Sequence, residues 1–410
     1  MSAFHHLNKT QPAQVTALNL PDNTSTVLIK KRQISVQPMA MPILQPDGVL
    51  VRVIATGICG SDMHNYLAGG VGGRPVTEPL VLGHESAGEV IAVGDMVTTH
   101  KVGDRVAVEP GLPCRRCTNC KAGRMNLCTD GHYCGSVGSV GSLSKFFAVP
   151  ADMAPKIPDN VSWEVAGSIQ PLAIGVMIGK RGDLRPHQTL AIMGCGPIGL
   201  ITAAVAHAYS ARKIIGFDIN PKRVAFAQKY ISPLTGRPIF DHVFLVDELP
   251  GTEEGAAANG NGHGGDHEDV RVGDIKYEHA QARAAEYLAA AGLAGADGVD
   301  RVVEASGAED AGLLGIAIVK QGGTYLAVGL GHHTTNAFPT IAVTNKEVDV
   351  RGLTRYTSEA FPNAIDLLER GVVDLKQLIT KTFPLSESTA AFEAVAGGEE
   401  IKVIIKNQEA

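Results

Sequence analysis

The sequence predicts an α/β protein with two domains, and three observations carry this prediction. The chain has 410 residues, which is too long for one ordinary hydrophobic core. Short alternating segments separated by glycines fill the first part of the chain and predict a small β-rich domain. From about residue 165, apolar strands alternate with helical segments, a pattern typical of a parallel sheet covered on both faces.

The predicted elements follow this division in order. A polar arm of about 25 residues precedes the β-rich part, whose strands we expect within 26–36 and at 48–55, 88–93 and 104–108. A tight turn and a short helix follow the strand at 48–55. The second part shows strands at 190–193, 213–217, 242–246, 298–304, 323–329 and 348–353, with helices after Pro197 and at 221–230. The tail, with a helix at 362–370 and a strand at 401–405, is expected to return to the first domain. The predicted boundaries are 1–172 with 354–410 for one domain and 173–353 for the other.

One segment fits neither pattern. Residues 251–274 are rich in Gly, Asn and acidic side chains and contain almost no apolar residues. Such a composition cannot bury enough surface to fold alone, so we predict a flexible insertion followed by an alanine-rich helix at 276–293. His263 and His267 lie in this insertion, but two histidines in a flexible acidic loop are weak evidence for a metal site.

Composition excludes several classes of protein. Hydrophobic residues make up 44% and charged residues 19%, and the net charge is −6 without a long basic run. This balance disfavours nucleic acid and anionic membranes as partners. The most apolar window, 189–211, contains several glycines and a proline in its first half, which favours a strand, turn and helix over a membrane span. No signal peptide is apparent in residues 1–20, so we expect a cytosolic protein.

Four of the seven cysteines lie within fifteen residues and form the strongest local motif, Cys114-x2-Cys117-x2-Cys120-x7-Cys128. Four thiolates in one short lobe can close a tetrahedral zinc site that leaves no open position for water. The alternatives are four reduced structural cysteines, or disulfides in an exported chain. The spacing favours a structural zinc site.

A dinucleotide-binding turn is predicted where the strand at 190–193 opens into a helix. Here Gly194 allows the tight turn, Gly196 lets the pyrophosphate approach the backbone, and Gly199 lets the helix pack closely on the strand. The free N–H groups at the start of the helix favour phosphates. The whole predicted motif runs from Gly194 through Cys195, Gly196, Pro197 and Ile198 to Gly199.

An acidic residue stands at the expected distance beyond this turn. Asp218 ends the strand at 213–217 and could accept hydrogen bonds from the adenosine ribose while repelling a 2′-phosphate, which favours NAD over NADP. Arg223 lies nearby and would allow NADP if it turned toward the ribose. Asp218 could also be a simple turn residue before Asn220 and Pro221.

A second metal site is predicted from Cys59, His84 and Glu85. A thiolate, an imidazole and a carboxylate form an open three-ligand zinc site whose fourth position is free for water or substrate oxygen. Zinc there would polarise an alcohol as a Lewis acid while hydride leaves for a nicotinamide. Ser61 and His64 follow Cys59 closely and could carry the alcohol proton to water. For His64, an ordinary solvated helix histidine is an equally good interpretation of the spacing.

These motifs together resemble the zinc-dependent medium-chain dehydrogenases, and among them the polyol branch of sorbitol, xylitol and L-arabinitol dehydrogenases. The resemblance runs from about residue 27 to the C-terminus. It rests on Cys59–His64, Leu82–Glu85, Val102–Val106, the four-cysteine lobe with Gly123–Cys128, Lys156–Asn160, Glu304–Gly307, Val328–Leu330, Arg355–Tyr356 and Asp374–Ile379.

The resemblance implies a GroES-like β-rich catalytic domain and a Rossmann domain with a doubly wound parallel sheet, usually assembled as a homotetramer or homodimer. It implies a catalytic zinc ion at Cys59, His84 and Glu85, a second zinc ion in the cysteine lobe, and a proton relay through Ser61 and His64. It also implies that Arg355 and Tyr356 line the substrate side. The matching segment Val328, Gly329 and Leu330 is assigned to cofactor binding.

Three features depart from the family pattern. Gln170 stands where the family usually has a glutamate at the zinc, as a ligand or holding its water; losing that charge should make zinc a stronger Lewis acid. Asn65 stands where polyol enzymes often carry an aromatic residue. The acidic insertion in the cofactor domain is also unusual.

The sequence therefore predicts an NAD- and zinc-dependent oxidoreductase that converts a secondary alcohol, such as sorbitol or xylitol, to a ketose. The alternative within enzymes is a dehydrogenase or ketone reductase with a non-sugar substrate, which Asn65 and Gln170 suggest. The alternative from another class is a non-catalytic NAD-binding structural protein. That protein would bind one zinc ion per chain, whereas the enzyme would bind two.

Overall fold

The computed structural model describes residues 10–251, 268–331 and 337–408. The chain divides into two compact units. The first contains the residues up to Ile174 and those from Arg355 on, and the second runs from Gly175 to Thr354. Each unit has its own sheets and its own hydrophobic core.

The strands of the described chain are, in order, β1 (Asn23–Lys30), β2 (Gln33–Met39), β3 (Gly48–Gly57), β4 (Gly70–Val71), β5 (Arg74–Pro75), β6 (Leu80–Val81), β7 (Glu85–Val93), β8 (Arg105–Ala107), β9 (Gly111–Leu112), β10 (His132–Tyr133), β11 (Phe146–Pro150), β12 (Thr189–Met193), β13 (Lys213–Asp218), β14 (His242–Leu245), β15 (Val299–Glu304), β16 (Val319–Ala327), β17 (Asp349–Gly352), β18 (Ile379–Pro384) and β19 (Lys402–Lys406).

The α-helices are α1 (Ala13–Ala17), α2 (Gly60–Ala68), α3 (Thr118–Lys121), α4 (Trp163–Ala166), α5 (Ile169–Arg181), α6 (Pro197–Ala208), α7 (Pro221–Ala227), α8 (Glu268–Ala290), α9 (Glu309–Ile318), α10 (Thr340–Asn345), α11 (Ala360–Glu369) and α12 (Ser388–Ala396). Within the residues that the structure describes, no helix combines the length and the apolar character needed to cross a membrane.

The main sheet of the first unit is built around β3. Its strands follow the order β18-β19-β3-β7-β8, and β11 also pairs with β3. Because β3 has partners along its length, most of its residues are buried, and Val49, Val51 and Val53 pack into one core cluster. The tail of the chain reaches this sheet through β19, which runs antiparallel to β3 and pairs Ile404 with Gly57.

The second unit is a six-stranded parallel sheet in the order β14-β13-β12-β15-β16-β17. The order reverses between β12 and β15, which is the doubly wound arrangement that binds a ligand beyond the carboxyl ends of the strands at that switch point. The predicted α/β class with a doubly wound sheet is confirmed. The apolar window at 189–211 forms β12, the glycine turn and helix α6.

One predicted boundary is wrong. Helix α8 begins at Glu268, so the end of the segment predicted as a flexible insertion is helical. Helix formation is cooperative, and a helix nucleated in the alanine-rich run can extend into weaker neighbouring sequence. Residues 252–267 of the predicted insertion, which include His263 and His267, lie outside the described residues.

Candidate metal and cofactor sites

Cys59, His84 and Glu85 come together in the first unit. One donor atom from each, the Cys59 sulfur, a ring nitrogen of His84 and a carboxylate oxygen of Glu85, lies within 4.8 Å of the other two. Cys59 immediately precedes helix α2, and Glu85 is the first residue of β7. Gly83, at φ +90°, makes the bend that delivers His84, and a Cβ there would meet Leu143. Sheet pairing of Gly57 with Glu85 places the start of α2 beside the start of β7.

The His84 ring is held from both sides by residues of helix α2. Its Nδ1 lies 3.5 Å from Asp62 Oδ1, and its Nε2 lies 3.3 Å from Ser61 Oγ. Burial acts to raise the pKa of Asp62, but the charge of His84 and the backbone N–H groups of Cys59 and Gly83 outweigh it, so the pKa is lowered. A carboxylate on one ring nitrogen of a histidine orients the other nitrogen toward a metal.

Glu85 has a cationic partner from the far end of the chain. The side chain of Glu85 is buried, and its Oε2 accepts a hydrogen bond from the ammonium group of Lys402. Lys402 also donates to the backbone oxygen of Ile58 at 3.0 Å. A buried carboxylate is stable only when such partners compensate its charge.

The donor set fits zinc. Sulfur, imidazole nitrogen and carboxylate oxygen are the ligand types that zinc takes, and three protein donors leave a fourth position open. Donor atoms at zinc-bond distances of about 2.0–2.3 Å lie about 3.3–3.8 Å apart in a tetrahedron. Three donors that lie within 4.8 Å of one another are compatible with this spacing.

The predicted relay residues differ in their surroundings. Ser61 contacts His84, as described, whereas His64 lies on the same helix with its side chain exposed to solvent. This pair therefore has one member at the donor cluster and one member at the surface of the first unit. Asn65, the residue after His64 on helix α2, is buried, and its amide donates to the Gly135 carbonyl at 3.4 Å.

The amide nitrogen of Gln170 contacts Tyr133 and none of the three donor residues of the cluster. Gln170 is buried, and its Nε2 donates to the Tyr133 hydroxyl at 2.9 Å. The Tyr133 ring lies against His84, with 5.5 Å between ring centroids. Gln170 is thus connected to the histidine of the cluster through one aromatic side chain.

Tyr133 is one of the site residues that the sequence did not reveal. The Arg355 guanidinium lies over its ring, 4.0 Å from the ring centre. Burial raises the pKa of Tyr133 well above its usual range, although the Arg355 guanidinium acts in the opposite direction. No local motif marks this position, because Tyr133 follows the cysteine lobe in a short strand, β10, with no repeat or spacing signal of its own.

Arg355 and Tyr356 are placed differently. Arg355 adopts a left-handed backbone, φ +54°, and stacks on Tyr133. Tyr356 is only 2% exposed, and its hydroxyl has no hydrogen-bond partner in the described part of the chain. In this conformation Arg355, but not the Tyr356 hydroxyl, can contact a ligand.

The cysteine lobe forms a second donor cluster. The sulfurs of Cys114, Cys117, Cys120 and Cys128 all lie within 4.8 Å of one another. The Cys117 and Cys128 sulfurs are 3.8 Å apart, and two sulfurs each about 2.3 Å from a tetrahedral zinc ion lie about 3.8 Å apart. Backbone N–H groups of Cys120 and Thr129 lower the pKa of Cys117 to about 6, which favours the thiolate form that zinc binds. The lobe therefore fits a closed zinc site.

The glycine turn of the second unit has the geometry that its three glycines predict. Gly194 has φ +99°, and its N–H donates to the Phe217 carbonyl at 2.7 Å. A Cβ on Gly199 would overlap the Gly194 carbonyl oxygen, so helix α6 packs on the turn only because this residue lacks a side chain. A Cβ on Gly196 would meet nothing within 4 Å. The turn is thus open at Gly196, where a pyrophosphate would approach, and Pro197 and Ile198 begin the helix.

Asp218 ends β13 beside this turn. Its carboxylate accepts the Cys195 N–H at 2.7 Å and the Asn220 N–H at 2.8 Å, which fixes its orientation. Each carboxylate oxygen keeps a second lone pair for a ligand hydroxyl. Arg223 lies in the first turn of α7, where its N–H donates to the Asn220 side chain at 3.3 Å.

The segment after β16 lies at the same carboxyl edge of the parallel sheet. Val328 and Gly329 donate their N–H groups to the Glu304 carbonyl, both at 2.9 Å, and Leu330 is 58% exposed. The Glu304 carboxylate accepts the N–H groups of Ser306 and Gly307 at 2.7 and 2.8 Å. Glu304 therefore shapes the loop that faces the turn across the switch point, although no chemical role was predicted for it.

Two family models match the chain. Residues 45–159 match the alcohol dehydrogenase GroES-like domain, and residues 275–370 match the zinc-binding dehydrogenase domain. A probable D-xylulose reductase A of Aspergillus clavatus is 37% identical over 95% of this chain and 98% of that protein.

Solved structures are similar along almost the whole chain. An oxidoreductase/dehydrogenase of unknown specificity from Escherichia coli is 26% identical with a TM-score of 0.77, covering 95% of this chain and 100% of that one. The 2R,3R-butanediol dehydrogenase of Bacillus subtilis is 25% identical with a TM-score of 0.73, covering 94% of this chain and 100% of that one.

Proposed function

We propose that this chain, which belongs to the family of zinc-binding alcohol dehydrogenases, oxidises a secondary alcohol of a polyol such as xylitol to the ketose with NAD as hydride acceptor. The observation that carries the proposal is the convergence of three zinc-type donors, Cys59, His84 and Glu85, within 4.8 Å. The similarity to a D-xylulose reductase over 95% of the chain supports the polyol class.

Each of these residues has a separate part in the proposed site. Cys59, His84 and Glu85 would hold the catalytic zinc, and Asp62 would keep His84 in the orientation that offers Nε2. When bound, zinc supplies a Lewis acid to the alcohol oxygen and NAD accepts the hydride. The four cysteines of the lobe would hold a second zinc ion that stabilises a loop with little core of its own.

The alcohol proton requires acceptors within this chain. The Ser61 hydroxyl lies at the donor cluster, so it is placed to accept the proton, and the exposed imidazole of His64 is placed to release it to water. Gln170 and Arg355 meet at Tyr133, and the guanidinium stacked there offers hydrogen-bond donors to polyol hydroxyls.

The cofactor preference is proposed from Asp218. A fixed carboxylate at this point accepts ribose hydroxyls and repels a 2′-phosphate. The proposed cofactor residues are those of the turn, Asp218, Arg223 and the segment 328–330.

We further propose a homotetramer or homodimer in the cytosol. The exposed apolar side chains of Phe338, Ile341 and Val350, at and near the edge strand β17, support self-association. Size-exclusion chromatography with light scattering measures the assembly state directly.

The test combines substrates with metal counting. Purified protein is assayed with xylitol, sorbitol and L-arabinitol against 2,3-butanediol, with NAD and NADP, and zinc is counted by mass spectrometry. We expect NADH formation with a polyol and two zinc ions per chain. Cys59→Ala should retain one zinc, while the control Cys134→Ala, which removes a buried thiol outside both clusters, should retain two. No NADH with any polyol, or one zinc in the unmodified protein, contradicts the proposal.

A second candidate is a dehydrogenase for a small non-sugar diol. It is favoured by Asn65, which is buried and bonded to Gly135 where polyol enzymes often carry an aromatic residue, and by the similarity to a butanediol dehydrogenase. Turnover of 2,3-butanediol that exceeds turnover of every polyol would decide for it.

A further inference from the structure

Lys402 is a buried lysine beside the proposed catalytic zinc site. It is 4% exposed and is the first residue of β19, 317 positions from the glutamate that it contacts. Lysine is almost never fully buried unless its charge is paired. Here the ammonium group bonds to Glu85 Oε2 and to the Ile58 carbonyl, at 3.0 Å. Lys402 therefore contacts one proposed ligand, Glu85, directly, and it also contacts Ile58, the residue before the ligand Cys59.

Gly57 of strand β3 leaves the space in which Lys402 and Glu85 meet. A Cβ on Gly57 would lie 2.8 Å from Lys402 Cε and closer still to Glu85 Oε2. Gly57 pairs with Glu85 of β7 and with Ile404 of β19. The absence of a side chain at Gly57 therefore allows the lysine and the glutamate to meet over strand β3.

Lys402 occupies only part of the Glu85 carboxylate. It binds Oε2, so Oε1 and the second lone pair of Oε2 remain available to a metal ion at the donor cluster. Hydrogen-bonded partners of metal-ligating carboxylates fix their orientation, and losing such a partner typically costs 10–100-fold in metal affinity. Lys402 also balances part of the negative charge that the Cys59 thiolate and Glu85 bring into a buried site.

We propose that Lys402 is a positioning residue for the catalytic zinc site: it holds Glu85 with one oxygen turned toward Cys59 and His84. The proposal rests on the proposed function, because it takes Glu85 as a zinc ligand. The competing explanation is that the ion pair only anchors the C-terminal strand to the sheet. That explanation predicts a loss of stability with no change in zinc affinity.

The test compares Lys402→Met with Lys406→Met. Lys406 lies on the same strand and pairs with Glu164 at 3.5 Å on a more exposed surface, so its variant controls for losing a lysine from β19. Zinc affinity is measured by competition with a chelator, and cobalt-substituted protein is examined by visible absorption. We expect the dissociation constant of zinc at the site of Cys59, His84 and Glu85 to rise about 10–100-fold in Lys402→Met, with altered cobalt bands. Both should stay unchanged in Lys406→Met.

The outcomes separate the two proposals. Unchanged zinc affinity and cobalt bands in Lys402→Met, together with a lower melting temperature, would assign Lys402 to anchoring and overturn its positioning role. If Lys402→Met does not fold, Lys402→Gln decides: its amide can still donate a hydrogen bond, but it carries no charge and is shorter than lysine, so Glu85 loses its charged partner. Wild-type zinc affinity in a folded Lys402→Gln would then overturn the proposal. If the unmodified protein binds only one zinc ion, the proposed function itself fails.

Discussion

Gly196 and Gly199 stand three residues apart in one turn, and the structure predicts opposite stability effects for the same substitution. In Gly199→Ala the new Cβ overlaps the Gly194 carbonyl oxygen, so helix α6 must shift away from the turn. Overpacking of this kind costs about 1–3 kcal/mol. In Gly196→Ala the new Cβ meets nothing within 4 Å, and the backbone, at φ −73° and ψ −175°, is one that alanine adopts readily. Replacing glycine at such a position stabilises by about 0.4–1 kcal/mol.

These energies convert to melting temperatures. For a unit of about 180 residues, Gly175–Thr354, 1 kcal/mol shifts the melting temperature by about 2–4 °C. We therefore expect Gly199→Ala to melt about 2–12 °C lower and Gly196→Ala to melt at the same temperature or up to about 4 °C higher, both without cofactor. Differential scanning fluorimetry measures both values.

The effect of Gly196→Ala on cofactor binding should be opposite to its effect on stability. The Cβ of Gly196→Ala occupies the open space where a pyrophosphate would approach the backbone, so its NADH affinity should fall at least about tenfold although the protein is stable. NADH fluorescence titration measures this. A Gly196→Ala protein that binds NADH normally, or a Gly199→Ala protein as stable as the unmodified chain, would refute the assignment of these glycines.

Four further changes test other parts of the molecule. Burial and Asp152 raise the pKa of Glu109 to about 8; the folded state thus retains a proton that the unfolded state releases above about 4.5, and stability falls as pH rises between these values. The melting-temperature advantage of Glu109→Gln over the unmodified protein should therefore grow from pH 5 to pH 8.5, and a constant difference would contradict the argument. His64→Ala should lower kcat about tenfold or more with zinc content unchanged, and added imidazole should restore part of it; full activity without imidazole would exclude the relay. Gln170→Glu should shift the pH profile of kcat/KM to higher pH, because a carboxylate near the zinc makes a zinc-bound water less acidic. An unchanged profile would count against a position of Gln170 at the zinc. Cys117→Ser should remove one zinc ion per chain and make the cysteine lobe sensitive to protease. If the variant retains two zinc ions per chain, the four cysteines do not form a zinc site.

Much of the site was predictable because it is local in the chain. The four cysteines of the lobe lie within fifteen residues, and His84 and Glu85 are neighbours. The glycines of the turn are tied to a strand and a helix that the hydrophobic pattern also predicts. The order of strands and helices in the second unit followed from the same alternation.

The start of helix α8 could not be predicted from the local sequence pattern. Helix α8 starts at Glu268, in sequence whose own composition predicts a loop. Cooperative extension from a strong neighbouring helix is not visible in the composition of the extended part.

The sequence by itself determined which donor types are present, because sulfur, imidazole and carboxylate chemistry belongs to the residues. Only the tertiary structure decided what surrounds them. Lys402 meets Glu85 across 317 positions, and Gln170 meets Tyr133 across 37. The first contact depends on the register in which β3 pairs with β7 and β19, and both depend on packing of the whole first unit. Sheet register is set by the burial of entire strands rather than by any short motif, so these partners cannot be read from spacing.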